Sequence, residues 1–140
     1  MKKRNVKTRA VALLALLLAG ILSSQSLFAH GGRGAQAVYD KPEGFSFSDY
    51  TLTDGVYRGE AIGFQPGLIV EVTIKSGKVS SIEVVQHKEI GPQYFTRPIR
   101  FIPAEILEQQ NTEVDAVSGA TATSYAIMAA VEDALKDLKK

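Results

Sequence analysis

The sequence predicts an α+β fold in which a small antiparallel sheet, a meander of about three strands, carries helices packed on it. Two patterns support this prediction. Residues 68–75, LIVEVTIK, alternate apolar and polar side chains as a half-buried strand does. Residues 127–138 instead place apolar side chains at helical spacing, which predicts an amphipathic C-terminal helix.

The other strands flank residues 68–75. Residues 55–64, GVYRGEAIGF, alternate loosely around several glycines, which indicates a strand with bends or with a close backbone approach. After residue 75, Ser76-Gly77 forms a two-residue turn in which glycine can adopt positive φ. Residues 79–87 then form the returning strand, so the three segments make a meander.

Two helices are expected after the strands. Residues 88–97 contain the turn signal Gly91-Pro92 and are predicted to be a loop. Residues 99–110 are predicted to form a short helix, in which Pro103 is tolerated only near the first turn. The last helix is predicted from the apolar stripe Ile127, Ala130, Val131, Ala134, Leu135 and Leu138.

The N-terminus has the composition of a signal peptide. A basic patch precedes the uncharged apolar stretch 10–22, which has 13 residues and is shorter than the roughly 20 that a spanning helix needs. We expect residues 1–29 to be a signal peptide, with Ser24-Gln25-Ser26 as a second possible cleavage site and an uncleaved membrane anchor as the alternative. Residues 30–44 are expected to be a flexible tether, and residues 45–140 the domain.

Composition excludes several kinds of site. Without residues 1–29 the chain has 11 basic and 15 acidic side chains, a net charge of −4, so a basic nucleic-acid footprint is absent. Cysteine is absent, which excludes disulfides, thiolate-held iron–sulfur clusters and C-x-x-C-H haem attachment. Only two histidines are present, His30 and His87, so no metal site is expected.

One segment of small residues, DAVSGATATS at 115–124, directly precedes the C-terminal helix. It has a structural interpretation, since Ser118, Thr121, Thr123 and Ser124 are all plausible helix N-caps. In the functional interpretation a hydroxyl is displayed for modification or for phosphate contact, because N–H groups and the dipole at a helix start favour phosphate. Thr121 is the best-placed hydroxyl, and Gly119 and Ala120 leave space beside it.

The same segment resembles the covalent-flavinylation motif of the FMN-binding domain family. That family includes components of the sodium-pumping NADH:quinone oxidoreductase and of the related Rnf complexes, and many small secreted proteins. The resemblance also extends to three other segments, which are DGVYRG at 54–59, the hairpin VEVTIKSGKVSSIEVV at 70–85, and His87-Lys88-Glu89. It covers roughly residues 54–138.

The resemblance implies a covalent cofactor. A flavin transferase that depends on Mg²⁺ takes FMN from FAD and joins its phosphate to a threonine hydroxyl, which here corresponds to Thr121. Asp115, Ser118, Gly119 and Ala120 correspond to the positions that the transferase recognises. The other implied partners are a redox donor and a redox acceptor at the membrane or outside the cell.

Flavin contacts beyond the motif are predicted from single side chains. His87 and Tyr94 are candidate flavin-binding residues, and Phe95 and Glu89 are further candidates, each with an ordinary structural role as its alternative. The chain has Ile90-Gly91-Pro92-Gln93 where relatives often have a Thr-Pro-Gly type of loop. The contacts made by this loop therefore differ from the family pattern.

The expected function is electron transfer outside the cytoplasm by a domain that carries FMN on Thr121 and has no substrate of its own. Two alternatives remain open at this point. One is a flavin-free secreted interaction module in which Ser118 to Thr121 only caps a helix. The other is a flavin-dependent reductase, which needs a substrate pocket beside the flavin.

Overall fold

The computed structural model describes residues 39–140, which form an α+β domain. The strands are β1 (Gly55–Ile62), β2 (Pro66–Lys75) and β3 (Lys78–Gln86), and the helices are α1 (Pro92–Gln109) and α2 (Thr121–Leu135). Short 3₁₀ turns lie at Phe47–Asp49 and Lys136–Leu138. The predicted fold class is confirmed, while the signal peptide and most of the predicted tether lie outside the described residues.

The three strands pair antiparallel in the order β1-β2-β3, so the predicted meander is confirmed. The central strand alternates as predicted, because Leu68, Val70, Val72 and Ile74 are all buried and the residues between them are only half-buried. Both helices cover the inner face of the sheet, α2 against β1 and β2 and α1 against β3. The core therefore lies between the sheet and the two helices.

The turn between β2 and β3 contains two residues, as predicted. Ser76 and Gly77 both have positive φ, 54° and 69°, which is the pattern of a type I′ hairpin. The Asp54 carboxylate accepts hydrogen bonds from both backbone N–H groups at 2.9 Å. The bonds from Gly77 and Ser76 lower the pKa of Asp54, because they stabilise its charged form.

Strand β1 lies unusually close to α2, and Gly59 makes this possible. A Cβ built on Gly59 would lie 1.9 Å from the carbonyl oxygen of Ala130 and 2.4 Å from the backbone nitrogen of Ala134. Any larger residue would therefore collide with helix backbone, which cannot move aside as a flexible side chain can. The close backbone approach expected from the glycines of residues 55–64 occurs here.

Helix α1 differs from the sequence prediction. It begins at Pro92, so residues 92–97 are helical and not part of a loop, and Pro98 and Pro103 both lie inside the helix. A proline can start a helix, since its missing N–H has no partner there. Inside α1 each proline removes one backbone hydrogen bond, but both rings are buried on the same side as Ile102 and Ile106. Burial of this apolar face outweighs the local preference against proline.

Helix α2 supplies the largest share of the helical core, as its apolar stripe predicted. Ile127, Ala130, Val131 and Leu135 are completely buried, and Leu138 packs against the core from the following 3₁₀ turn. Over residues 39–140, none of the helices has the length and apolar character required to span a bilayer.

The segment that enters the domain is bound to the C-terminal half of α2. The Glu132 carboxylate accepts hydrogen bonds from the N–H of Gly44 at 3.1 Å and from the Thr112 hydroxyl at 3.0 Å. The N–H of Thr51 donates to the Leu138 carbonyl at 2.9 Å. The chain thus enters at the end of the domain opposite to the start of α2. Burial raises the pKa of Glu132, although its two hydrogen bonds act against that rise.

Candidate functional site

The candidate site is built around the start of α2, and Thr121 is the first residue of that helix. Its side chain is exposed, whereas the preceding Ala120 is 6% exposed. No hydrogen bond is formed by the hydroxyls of Thr121 or Ser118 to any residue in the described range. The helix cap is Ala120, which has no side-chain hydrogen bond to offer. Neither Ser118 nor Thr121 therefore caps α2.

None of the four hydroxyls that the sequence offered as helix caps caps α2, and Ser124 instead holds the turn that precedes the helix. Its Oγ accepts a hydrogen bond from the N–H of Val117 at 3.0 Å and donates one to the carbonyl of Ala120 at 2.8 Å. These bonds hold the turn of residues 117–120 against the first turn of α2. The Thr121 hydroxyl is thereby left at the surface of a rigid turn.

Gly119 shapes the space in front of this hydroxyl. Its φ of +78° is in the left-handed region that favours glycine, and no atom lies within 4 Å of the position that a Cβ would occupy. The glycine is therefore required by backbone conformation and not by crowding. The open side of the turn leaves room for a bulky group beside Thr121.

A groove of about 370 Å³ borders the same turn. One wall contains Asp115 and Ser118, and the facing wall is a stripe of α1 that includes Arg97 and Phe101. The remaining lining residues are Ile102, Glu105, Gln109, Ala116 and Val117. The volume falls within the range of roughly 300–1,000 Å³ that small-molecule sites occupy. Thr121 itself does not line the groove.

Helix α1 contributes one arginine, Arg97, and an aromatic ring, Phe101, to this groove, and the sequence prediction missed both. The Phe101 ring is 44% exposed, and the guanidinium carbons of Arg97 and Arg100 lie 6.0 and 5.6 Å from its centroid. These distances are those of cation–π contacts. No sequence pattern indicated these contacts, since residues 92–97 were predicted to be a loop.

The buried carboxylate of Glu89, in the loop after β3, forms hydrogen bonds to the loop after β1 and to the first turn of α2. Glu89 is 7% exposed and accepts hydrogen bonds from the N–H groups of Gln65 at 2.9 Å and Phe64 at 3.3 Å. It also accepts a hydrogen bond from the hydroxyl of Thr123, in the first turn of α2. A Cβ on Gly63 would lie 2.7 Å from the nearest oxygen of Glu89, so a side chain at residue 63 would collide with this carboxylate.

His87 and Tyr94, the two predicted flavin contacts outside the motif, lie apart from the groove. The His87 ring packs on Phe95 with centroids 4.8 Å apart, and its Nδ1 is buried without a hydrogen-bond partner in residues 39–140. Tyr94 is 53% exposed and packs beside Gly91. Of the predicted site residues, Asp115 and Ser118 thus lie at the groove, and Gly119 to Thr121 form the head of α2. The flavin contacts of His87 and Tyr94 remain predictions.

The start of α2 and the adjoining groove fit a nucleotide-like flavin. The helix start favours a phosphate through its free N–H groups and dipole, and Thr121 places a hydroxyl there. In the groove beside it, Phe101 provides an exposed ring, and Arg97 provides the one positive charge among lining residues that also include the carboxylates of Glu105 and Asp115. The open space at Gly119 leaves access for the cofactor.

Comparison with known proteins agrees with this chemistry. A protein of Treponema pallidum (strain Nichols), described as uncharacterized, is 32% identical over 127 residues, which cover 91% of this chain and 35% of that protein. The chain thus spans about a third of the relative's length. The model of the FMN-binding domain family matches residues 63–136, more than half of the chain, and includes both Glu89 and Thr121. The chain belongs to the FMN-binding domain family and is a flavoprotein of that kind.

Proposed function

We propose that this protein is an exported electron carrier that holds FMN through a phosphoester to Thr121. The observation that carries the proposal is the Thr121 hydroxyl, which is exposed on the first residue of α2 and free of hydrogen bonds within the described part of the chain. A hydroxyl engaged in capping would have to break that bond before modification. Ser124 holds the turn before α2 and Thr123 binds Glu89, so neither of these structural hydrogen bonds involves the Thr121 hydroxyl.

Attachment requires an activating enzyme, because a threonine hydroxyl is a weak nucleophile. In the proposed reaction a flavin transferase uses FAD and Mg²⁺. The Thr121 oxygen bonds to the phosphorus of the FMN half of FAD, the pyrophosphate bond to that phosphorus breaks, AMP leaves, and the hydroxyl proton is lost. Exposure of Ser118, Gly119 and Thr121 on one turn suits recognition by such an enzyme.

The chain's own residues then hold the attached group. The N–H groups at the head of α2 offer donors to the phosphate. Ser118 and Arg97 add a hydroxyl and a cation on the two walls of a groove that also contains the carboxylates of Asp115 and Glu105. Phe101 offers an aromatic surface. When bound, FMN supplies one-electron and two-electron redox chemistry, which is a property of the cofactor.

A covalent bond suits an exported carrier. Retention by affinity alone needs a standing concentration of free ligand, which is lost by dilution outside the cytoplasm. The proposed export rests on the signal-like composition of residues 1–29. The electron donor and acceptor are proposed to be separate proteins at the membrane or outside the cell.

Intact mass tests the attachment. The protein is produced with and without a flavin transferase in the same host, and only the first sample should gain the mass of one FMN phosphoester. Thr121→Val should abolish the gain and Thr121→Ser should keep it, because serine retains the hydroxyl. Thr96→Val, an exposed threonine on α1, is the matched control and should be modified fully. A gain in mass that persists in Thr121→Val contradicts the assignment.

A further inference from the structure

Three exposed cations lie on α1 or in the loop that leads into it. Lys88, Arg97 and Arg100 are all exposed, and none of them forms a salt bridge within residues 39–140. Arg97 and Arg100 are three residues apart, so they are neighbours on the helix surface, and both lie near the ring of Phe101. We call Lys88, Arg97 and Arg100 the cationic face.

The loop after β3 holds Lys88 beside the first turn of α1. The His87 ring packs on the Phe95 ring with centroids 4.8 Å apart, and Phe95 lies in that first turn. On the other side of Lys88, the buried carboxylate of Glu89 accepts hydrogen bonds from N–H groups of the loop after β1. Lys88 is therefore anchored at the start of α1 through both of its neighbours in sequence.

Charge is distributed unevenly over the domain. Residues 88–104 contain three basic residues and one acidic residue, which is the buried Glu89. The rest of the chain from residue 39 onward contains 7 basic and 14 acidic residues. The carboxylates of Glu105 and Asp115 lie at the border of the cationic face, in the groove that Arg97 also lines. An acidic partner therefore meets attraction at the cationic face and repulsion over most of the remaining surface.

The chemistry of the cationic face favours carboxylates. An arginine guanidinium presents its N–H donors in a planar fork, which pairs with a carboxylate through two parallel hydrogen bonds. Arg97 and Arg100 both contact the Phe101 ring, which limits the freedom of the two side chains, so less freedom is lost on binding. An anionic lipid surface fits less well, because lipid-binding segments carry roughly four to eight cations and the rest of this domain is acidic.

We infer that the cationic face docks an acidic protein that exchanges electrons with the flavin. This inference rests on the proposed function for its purpose. Arg97 lines the groove whose opposite wall includes Ser118, so a protein docked on the face lies beside the proposed cofactor. Lys88 and Arg100 do not line the groove, and the proposed attachment of FMN does not use them. A face of this size gives the weak association that is typical of redox encounters.

The first test uses the chain as purified without the flavin transferase, so it does not depend on FMN. The probe is a short peptide of glutamate residues, titrated while amide chemical shifts are recorded. The peptide should bind with a dissociation constant on the order of 1 mM and should shift the signals of residues 88–104 most. Added salt should weaken this binding, since it screens the attraction between opposite charges. Absence of binding, or larger shifts elsewhere in the domain, would contradict the inference.

Matched charge reversals locate the contact. Arg100→Glu and Lys88→Glu should each weaken peptide binding several-fold, whereas Lys78→Glu should have little effect. Lys78 is exposed at the start of β3, and Lys88 follows the other end of that strand. All of these substitutions change the net charge by the same amount, so only the position of the charge differs. Far-UV circular dichroism checks that the variants are folded. Equal weakening by Lys78→Glu would show that overall charge controls binding and would overturn the inference.

The second test uses the flavinylated protein and measures electron transfer by stopped flow. Each ferricyanide anion takes one electron from the reduced flavin and becomes ferrocyanide. The rate constant should fall as salt is added, because the cationic face attracts the anion although the domain as a whole is negative. Arg100→Glu should slow the reaction several-fold, and Lys78→Glu should not. A ferricyanide rate that rises with salt in the wild-type protein would overturn the inference.

Other occupants of the cationic face give different results. Binding to phosphatidylglycerol vesicles without binding of the peptide would assign the face to an anionic membrane and overturn the inference. Slower FMN attachment in Arg100→Glu, with unchanged ferricyanide kinetics, would assign the face to the flavin transferase and would also overturn it. Peptide binding by a chain that never gains FMN would leave the docking face standing and remove the proposed function.

Discussion

At the scale of single residues, hydroxyl side chains that are close in sequence have different roles in the site. Ser124 holds the turn before α2, and Thr123 donates a hydrogen bond to the buried Glu89. The hydroxyl of Thr121 makes no hydrogen bond within residues 39–140. The motif contains four hydroxyl side chains, and only their environments distinguish them. The hydroxyl of Thr121 is therefore available for modification because its neighbours form the structural hydrogen bonds.

Glu89 is predicted to be a major contributor to stability. Glu89→Ala leaves the N–H groups of Phe64 and Gln65 and the hydroxyl of Thr123 without their acceptor, so it should lower the free energy of unfolding by about 3 kcal/mol. Urea unfolding measures the change. Glu83→Ala, on an exposed position of β3, is the control and should stay within about 0.5 kcal/mol of the wild type. Equal effects of the two substitutions would show that Glu89 is not the link described here.

Glu132 is predicted to make stability depend on pH. Burial raises the pKa of Glu132 above its ordinary value of 4.5, so the folded state binds its proton more tightly than the unfolded state does. The stability that this group supports is present below pH 4.5 and is lost as pH rises through the raised folded pKa. Glu132→Gln should therefore gain stability relative to wild type as pH rises from about 4 to about 7, measured by urea unfolding at each pH. A constant difference over that range contradicts the assignment.

At the scale of the elements, the contact between β1 and α2 positions the site helix on the sheet. Gly59 lets the strand backbone approach the helix backbone near Ala130 and Ala134. On the other side, α1 packs against α2 with its apolar face, which includes both internal prolines. The start of α2 is therefore fixed by elements that are distant in sequence.

Gly59→Ala is predicted to be strongly destabilising. The new Cβ would overlap the Ala130 carbonyl and the Ala134 nitrogen, and both are backbone atoms, so β1 and α2 must separate. The expected loss is about 3 kcal/mol or more in the free energy of unfolding, at the upper end of overpacking effects. Gly55→Ala is the control on the same strand, because the nearest atoms there belong to the Tyr57 ring, 3.3 Å away or farther. Similar losses for both variants would contradict the close approach.

At the scale of the whole molecule, patterns with a short period predicted the fold well. The alternation of residues 68–75 and the stripe of residues 127–138 both report which side of an element is buried, and both were confirmed. The predicted start of α1 was wrong because local rules for proline do not take into account the burial of Pro98 and Pro103 against the core. The link from Glu89 to Thr123 spans 34 residues, and no local pattern encodes it.

The candidate site was predicted in part, for a similar reason. The motif identified Thr121 at the head of the last helix, which the structure places there, because the signal is contiguous in sequence. The opposite wall of the groove comes from α1, and Arg97 and Phe101 could not be associated with Asp115 before the helices were packed. The structure also shows that the segment around Gly44 contacts the domain near Glu132, at the end of α2 opposite to Thr121, where the cofactor is proposed to be attached.

The central claim is that one oxygen, Oγ1 of Thr121, bonds to the phosphate of FMN. Fragmentation mass spectrometry of a proteolytic digest tests it most directly, using protein made in a host that has a flavin transferase. We predict that the mass of FMN is found on the peptide that contains residues 115–124 and that the fragment ions place it on residue 121. An unmodified peptide under these conditions, or an FMN group on Ser118, Thr123 or Ser124, would contradict the claim.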